Sequence, residues 1–190
     1  MTRAAGKTQR ADAARNRERL LTAAVRAFTR DGLDATVKSI ADDAGVGVGT
    51  LYRHFPTRDA LIEAAYRNEL DRLCDAADTL LTTEPPAQAI RTWMGRFIDY
   101  TTAKYGMAEA LRAITAAGAN PYAHSRDRLI DSLTTLLTAA AKANTIRQDT
   151  TPEDLLTALS GVAMAVGTGD QSRRTQADRV LDLLADGLRP

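Results

Sequence analysis

The sequence predicts an all-helical protein in which a small N-terminal domain precedes a larger helical body. Three observations support this prediction: apolar residues recur at helical spacing through most of the chain, no stretch alternates with the period of a strand, and aromatic residues make up only 5% of the 190 residues. Glycine, proline and polar stretches divide the apolar pattern into about nine helical segments. An apolar content of 44% is sufficient for a sizeable core.

The chain begins with a polar stretch, residues 1–12, which we expect to form a flexible arm because it has no apolar stripe. From Ala13 onward, apolar residues at helical spacing predict the first helix, and Gly32 provides its end.

Two short helices joined by a glycine-containing turn follow between residues 36 and 55. Thr36 is a suitable N-cap for the first helix, and Gly45 can adopt the positive φ that ends it. Pro56 closes the second helix. The positions expected to pack inward are apolar: Ile40, Ala41, Ala44, Val46, Leu51 and Phe55. This arrangement is typical of a helix-turn-helix, so residues 13–56 are predicted to be a DNA-binding domain.

The second of these helices presents side chains that suit DNA. A recognition helix enters the major groove with its N-terminal residues, so a small residue such as Gly49 permits close approach. Val48 is suited to a thymine methyl group, and Thr50 to a base edge or a phosphate. The remaining polar candidates are suited to phosphate oxygens, namely Thr36, Lys38, Tyr52, His54 and Arg58.

The distribution of charge favours the same interpretation. Residues 1–58 hold eleven Lys and Arg against six Asp and Glu, a net charge of +5, whereas the remaining residues carry −4. A basic leading segment on an acidic body is typical of a nucleic-acid-binding module. Arg3, Lys7 and Arg10 could reach an adjacent minor groove, although a tail without a role explains them equally well.

The run from Thr36 to Arg58 resembles the tetracycline-repressor (TetR) family of bacterial regulators. It contains Leu51-Tyr52-Arg53-His54-Phe55-Pro56, and the upstream pattern Ala23-Ala24-x-x-x-Phe28-x-x-x-Gly32 extends the match to about residues 15–65. The resemblance implies a three-helix DNA-binding domain, a larger ligand-binding and dimerisation domain, and usually repression that a small molecule releases. It implies DNA contacts at Thr36, Lys38, Val48, Gly49, Thr50, Tyr52, His54 and Arg58. Gly47 and Arg58 stand where serine and lysine are common in the family.

Residues 57–190 are predicted to form a connecting helix followed by the ligand-binding and dimerisation body. Helix bundles place small-molecule sites between their helices. The candidate pocket residues are Tyr66, Trp93, Phe97, Tyr100, Met107, Leu111, Tyr122 and Met164, although a stripe of such residues is more often ordinary core than the lining of a cavity. Their modest polarity indicates an apolar or aromatic effector, whose identity the sequence leaves open.

The last two helices are the predicted dimer surface, because they combine apolar faces with small residues that allow close helix approach. The candidates are Leu155, Leu159, Val162, Val166, Leu181, Leu184 and Leu188. In such a homodimer, two recognition helices about 34–36 Å apart would read a pseudo-palindromic operator in double-stranded DNA.

Other functional classes find little support in the sequence. The glycines at positions 45, 47 and 49 lack the preceding strand and the spacing of a dinucleotide site, and two histidines with one cysteine form no metal-ligand cluster. We therefore expect that the protein is not an enzyme and that it binds neither a cofactor nor a metal. Two alternatives stay open: a transcriptional activator on the same scaffold, and a helical small-molecule-binding protein that no longer reads DNA.

The cellular location follows from similar considerations. No apolar run approaches the roughly 18 residues that span a bilayer, and the polar N-terminus does not resemble a secretory signal. The single cysteine, Cys74, fits a reducing compartment. These features predict a cytoplasmic protein without a membrane partner.

Overall fold

The computed structural model describes residues 2–167 and 171–190, and these residues form helices, turns and loops without a strand. The predicted all-helical class is therefore confirmed, with nine α-helices in the described ranges. Their bounds are α1 Thr2–Asp31, α2 Val37–Ala44, α3 Val48–His54, α4 Arg58–Thr83, α5 Pro86–Gly106, α6 Ala108–Ala116, α7 Ser125–Lys142, α8 Pro152–Val166 and α9 Gln171–Gly187, with a 3₁₀ turn at Gly32–Asp34.

Two helices begin at residues other than those predicted. Helix α1 begins at Thr2, so the expected arm of residues 1–12 is, from Thr2 onward, part of a helix. This stretch contains three alanines and no proline, and helix propensity needs no apolar stripe. The pair Asn120-Pro121 predicts a helix start at this point of the sequence, but α7 begins at Ser125. His124 has a φ of 61°, and a left-handed residue at this point prevents the helix from extending further upstream.

The chain divides into two compact units, the first of which comprises residues 1–68 and 106–121. Within this unit α1 packs against α2 and α3, and α6 packs against the 3₁₀ turn. Its core is built from the fully buried side chains of Leu20, Leu21, Phe28, Ile40, Leu51, Leu61, Ile62 and Tyr66. Gly106 allows an unusually close approach, because a Cβ atom there would lie 2.5 Å from the Cα of Thr29.

The second unit comprises residues 69–105 and 122–190. In it α7 packs on α8, and α8 packs on α9. Trp93 is fully buried, and its indole N–H donates to the carbonyl of Leu73 at 3.0 Å. Arg91 on α5 pairs with Asp182 on α9 at 2.6 Å, which adds a polar link to the apolar packing.

Among the described residues, no helix combines the length and the apolar content that a membrane span requires.

Candidate nucleic-acid interface

Helix α2 is stabilised at both ends as the sequence predicts. The hydroxyl of Thr36 accepts a hydrogen bond from the backbone N–H of Ser39 at 3.0 Å, which satisfies one of the free donors of the first turn. Gly45 adopts a left-handed conformation (φ 64°), and the backbone N–H of Val46 donates to the carbonyl of Ala41 at 3.0 Å. The chain therefore turns sharply between α2 and α3.

The inner faces of α2 and α3 are packed into the core of the first unit. Ile40, Ala41 and Leu51 are fully buried, and Ala44 and Phe55 are nearly so. Five of the six positions predicted to face inward are thus buried, and Val46 in the turn is half-buried. Because both helices contribute to one core, the angle between them is fixed by packing.

The opposite side of α3 faces solvent. Tyr52 is 47% exposed, and Gly47, Gly49 and Arg53 are also exposed. Val48, Thr50 and His54 are half-buried, which leaves part of each side chain accessible. The residues predicted to contact DNA on α3 are therefore all at least partly accessible, and we call them together the reading face: Val48, Gly49, Thr50, Tyr52 and His54. That each of them contacts DNA stays a prediction.

Two residues of the reading face region already interact with each other. The guanidinium of Arg53 donates to the hydroxyl oxygen of Thr50 at 2.8 Å, so the hydroxyl proton of Thr50 remains available for a phosphate or a base. On α2, the ammonium of Lys38 pairs with Asp42 at 3.1 Å, and both side chains are well exposed. A surface pair of this kind contributes about 0.2–1 kcal/mol, so a phosphate can readily replace Asp42 as the partner.

Arg58 has an internal role that the sequence pattern does not reveal. Its guanidinium donates to the carbonyls of Leu33 at 2.7 Å and of Ala35 at 3.3 Å, and it lies over the ring of Phe28 at 5.4 Å. These contacts connect the start of α4 to the segment that precedes α2. A DNA contact by Arg58 stays a prediction, and the structure adds that this arginine stabilises the domain itself.

A second site lies in the other compact unit, where α5, α7 and α8 line a cavity of about 540 Å³ that is partly open to solvent. This volume falls within the range of small-molecule pockets. The lining residues are Phe97, Tyr100, Thr101, Lys104, Tyr105, Tyr122, Ser125, Arg126, Leu129, Leu156, Thr157, Ser160 and Ala163. We call this space the effector cavity.

Three of the eight candidate pocket residues line this cavity: Phe97, Tyr100 and Tyr122. Trp93 packs behind them in the core, with its ring 5.9 Å from that of Phe97. Met164 is 74% exposed on α8 and does not line the cavity. The other three candidates, Tyr66, Met107 and Leu111, are buried in the first unit. For the five residues outside the lining, the structure favours the core or surface alternative.

The polar side chains of the cavity are not among the candidate pocket residues named from the sequence. Thr101 and Lys104 follow Phe97 by four and seven positions, so helical spacing alone places them on one face of α5. That signal was available in the sequence. Ser125 and Arg126 at the start of α7 have no comparable signal, because their position depends on where α7 begins.

The candidate dimer residues fall into two groups. Leu155, Leu159, Val166 and Leu181 are buried within the protomer, so their side chains already serve the unit's own core. Val162, Leu184 and Leu188 are half-buried. The large apolar side chains that remain exposed on α8 and α9 are Met164 and Leu183, at 74% and 71%.

Two sequence profiles match the chain. One, described as bacterial regulatory proteins of the tetR family, matches residues 20–65. The other, described as the C-terminal domain of SbtR-like transcriptional regulators, matches residues 85–190, which is more than half of the chain.

Curated relatives match part of the chain. A stretch of 71 residues is 39% identical to the HTH-type transcriptional repressor KstR2 of Mycolicibacterium smegmatis, covering 37% of this chain and 35% of that protein. A stretch of 122 residues is 30% identical to the HTH-type transcriptional repressor KstR of Mycobacterium tuberculosis, covering 62% of this chain and 56% of that protein. The match thus spans little more than half the length of these relatives at most.

Solved structures match nearly the whole chain. The TetR transcriptional regulator SCO0520 from Streptomyces coelicolor is 55% identical with a TM-score of 0.88, covering 92% of this chain and 98% of that one. A TetR transcription regulatory protein from Mycobacterium vanbaalenii is 34% identical with a TM-score of 0.77, covering 96% and 99%. The chain therefore belongs to the TetR family of bacterial DNA-binding transcriptional regulators.

Proposed function

We propose that this protein represses transcription by binding a pseudo-palindromic operator as a homodimer, and that a small molecule in the effector cavity releases it. The DNA-binding domain would comprise residues 13–56, and residues 57–190 would provide the connecting helix, the effector site and the dimer surface. The observation that carries the proposal is the reading face of α3, whose polar and small side chains are accessible while its apolar side is buried. Two curated relatives are named as repressors, which favours repression over activation.

The electrostatics of the first unit support DNA as the partner. The leading 58 residues carry a net charge of +5. Phosphate neutralisation by such a segment supplies affinity that is independent of sequence, and side chains at the base edges add specificity. Small residues at the start of α3 permit the close approach that base contacts need.

Dimerisation would use the outer faces of α8 and α9. On α8 the exposed residues Gly161, Met164 and Ala165 recur at helical spacing, and Leu183 is exposed on α9. Small residues beside a large apolar side chain allow two helices to pack closely across a two-fold axis. We therefore revise the expected interface: the buried leucines support it from behind, and these exposed residues form its surface.

Release by a ligand requires a difference in affinity between two states of the dimer. A molecule that binds more tightly to a state with unsuitable spacing of the two reading faces must, by reciprocity, weaken DNA binding. Because chromosomal DNA is the proposed partner, the protein would act in the cytoplasm.

A promoter reporter in the native host tests the proposal. The promoter is that of the protein's own gene or of the adjacent genes, and the host carries either the wild-type gene, a deletion, or the Tyr52→Ala allele. We expect expression to rise in the deletion and the Tyr52→Ala strains. A fall in expression on deletion would identify an activator, and unchanged expression from every promoter tested would contradict a regulatory role at these sites.

A further inference from the structure

We propose that the effector cavity recognises an amphipathic organic anion, namely a carboxylate on an aromatic or alicyclic body. The inference rests on the proposed function, because it takes this cavity as the effector site. It extends the sequence-based expectation of an apolar or aromatic ligand by adding a negative charge.

The apolar walls of the cavity can contact the aromatic or alicyclic body of the ligand. Phe97 and Tyr100 on α5, Leu129 on α7, and Leu156 and Ala163 on α8 are all buried side chains that line it. The rings of Phe97 and Tyr100 lie 6.1 Å apart at an interplanar angle of 51°. Aromatic and aliphatic side chains arranged in this way favour a flat or alicyclic group by burying its apolar surface.

Two cations face the same space. Lys104, near the end of α5, and Arg126, in the first turn of α7, both line the cavity. The ammonium of Lys104 lies 4.9 Å from the centre of the Tyr122 ring, a cation–π contact. Among the described lining residues there is no Asp or Glu, so the cavity itself offers these cations no counter-charge.

Three other arginines of the same unit form ion pairs with aspartates. Arg91 pairs with Asp178 and Asp182, and Arg174 pairs with Asp99 and Asp178. Arg128 on α7, only two residues beyond Arg126, pairs with Asp71 on α4. The ion pairs of residues 12–167 and 172–190 include neither Lys104 nor Arg126. Arg91, Arg128 and Arg174 thus have carboxylate partners, whereas no carboxylate of the described residues lines the cavity beside Lys104 and Arg126.

Three hydroxyl groups of the cavity already donate their protons to backbone carbonyls. Thr101 donates to the carbonyl of Phe97 at 3.0 Å, and Ser160 donates to that of Leu156 at 2.7 Å. Thr157 likewise donates to a carbonyl one turn earlier. Since each hydroxyl has a single proton, these groups present only lone pairs to a ligand. Among the described lining residues, the positively charged donors available to an anion are Lys104 and Arg126.

Burial without a counter-charge has a measurable consequence for Lys104. Desolvation lowers the pKa of its ammonium below the ordinary value. The polar and charged groups that line the cavity with it include Arg126 and the hydroxyl groups of Tyr105 and Tyr122, and none of them is a carboxylate. A bound carboxylate would supply the missing counter-charge and form charge-assisted hydrogen bonds.

Three probes with the same body and different charge test the inference: 4-phenylbutyrate, 4-phenylbutanamide and 4-phenylbutylamine. Their affinities for the full-length protein are measured by isothermal titration calorimetry. The variants are Lys104→Met and Arg126→Met, with Lys104→Arg as the charge-preserving variant. Lys142→Met, an exposed lysine at the end of α7, is the matched control.

We expect the carboxylate to bind at least about tenfold more tightly than the amide, and the amine to bind most weakly. Each Met variant should reduce the ratio of carboxylate to amide affinity, while Lys104→Arg and Lys142→Met keep it. Because the ratio is taken within one variant, partial loss of folding does not imitate the effect. Equal affinities for carboxylate and amide, an unchanged ratio in both Met variants, or no carboxylate binding up to its solubility limit would overturn the inference.

A parallel DNA-binding measurement separates this inference from the proposed function. If the protein binds the carboxylate more tightly than the amide but the bound carboxylate does not weaken operator binding, the anion site is supported and the proposed release by a ligand is contradicted. If the neutral amide binds as tightly as the carboxylate and releases the protein from the operator, ligand-induced release is supported and the proposal of an anionic ligand is contradicted.

Discussion

The reading face and the effector cavity differ in how the chain builds them. The reading face and its support come from one continuous stretch, residues 36–58, in which a cap, a left-handed glycine and alternating buried and exposed positions each have a local cause. The cavity combines residues 97–163 from three helices, and its shape depends on how those helices pack. The DNA-binding surface can therefore be derived from local sequence, whereas the effector site requires the tertiary structure.

Trp93 tests this distinction with the largest expected effect. It was a candidate for ligand contact, yet it is fully buried and its indole N–H is hydrogen-bonded to the backbone of Leu73. We expect Trp93→Ala to destabilise the protein by about 3–5 kcal/mol through the cavity it creates, measured by urea unfolding. A stable variant with an altered response to effector would instead return Trp93 to the ligand site.

Substitution of Tyr52 tests the role of the reading face in DNA binding. We expect Tyr52→Ala to weaken duplex binding by about 1–3 kcal/mol on specific and unrelated sequences alike, because a phosphate contact carries no sequence information. Its unfolding midpoint should hardly change, since the ring is half in solvent. Lys142→Met in the other unit serves as the control, and fluorescence anisotropy is the measurement. Unchanged affinity would show that Tyr52 does not touch DNA.

Substitution of Gly45 tests whether the turn between α2 and α3 depends on this one residue. An L-residue at its φ of 64° is strained by about 1–2 kcal/mol, and a Cβ there would also displace the guanidinium of Arg19. Gly45→Ala should lower the free energy of unfolding by about this amount. Gly47→Ala is the matched control, because Gly47 has a φ of −71° and open space around it. Equal effects of the two substitutions would contradict the role assigned to the left-handed turn.

Lys104 gives the smallest expected effect, because its half-buried side chain stays partly hydrated. Its folded-state pKa lies below the ordinary value of 10.5, so between these two values the folded chain binds fewer protons than the unfolded chain. The buried charge therefore lowers stability at neutral pH, and this cost disappears as pH rises through the folded-state pKa to above 10.5. Lys104→Met should raise the melting temperature near pH 7, and the gain should shrink in alkaline buffer. A lower melting temperature at neutral pH would contradict this sign.

Most of the fold could be predicted from the sequence, since helical spacing, caps and glycines act locally. The cap at Thr36, the left-handed Gly45 and the end of α3 just before Pro56 illustrate this. The start of α1 could not be predicted, because periodicity detects only an apolar stripe and residues 2–12 have none. The internal hydrogen bonds of Arg58 and the joint position of Lys104 and Arg126 were also inaccessible, because they depend on contacts between residues distant in sequence.

The central claim is that the reading face of α3 contacts DNA, and that each dimer binds the duplex through two such faces, one from each protomer. Titration of a labelled duplex from the region upstream of the gene, over a range of salt concentrations, tests it most directly. We predict saturation at two protomers per duplex, or a multiple of two, and an affinity that falls steeply as salt is raised because phosphate contacts release counterions. Binding by a single protomer, or no salt-dependent binding at low ionic strength, would contradict the account.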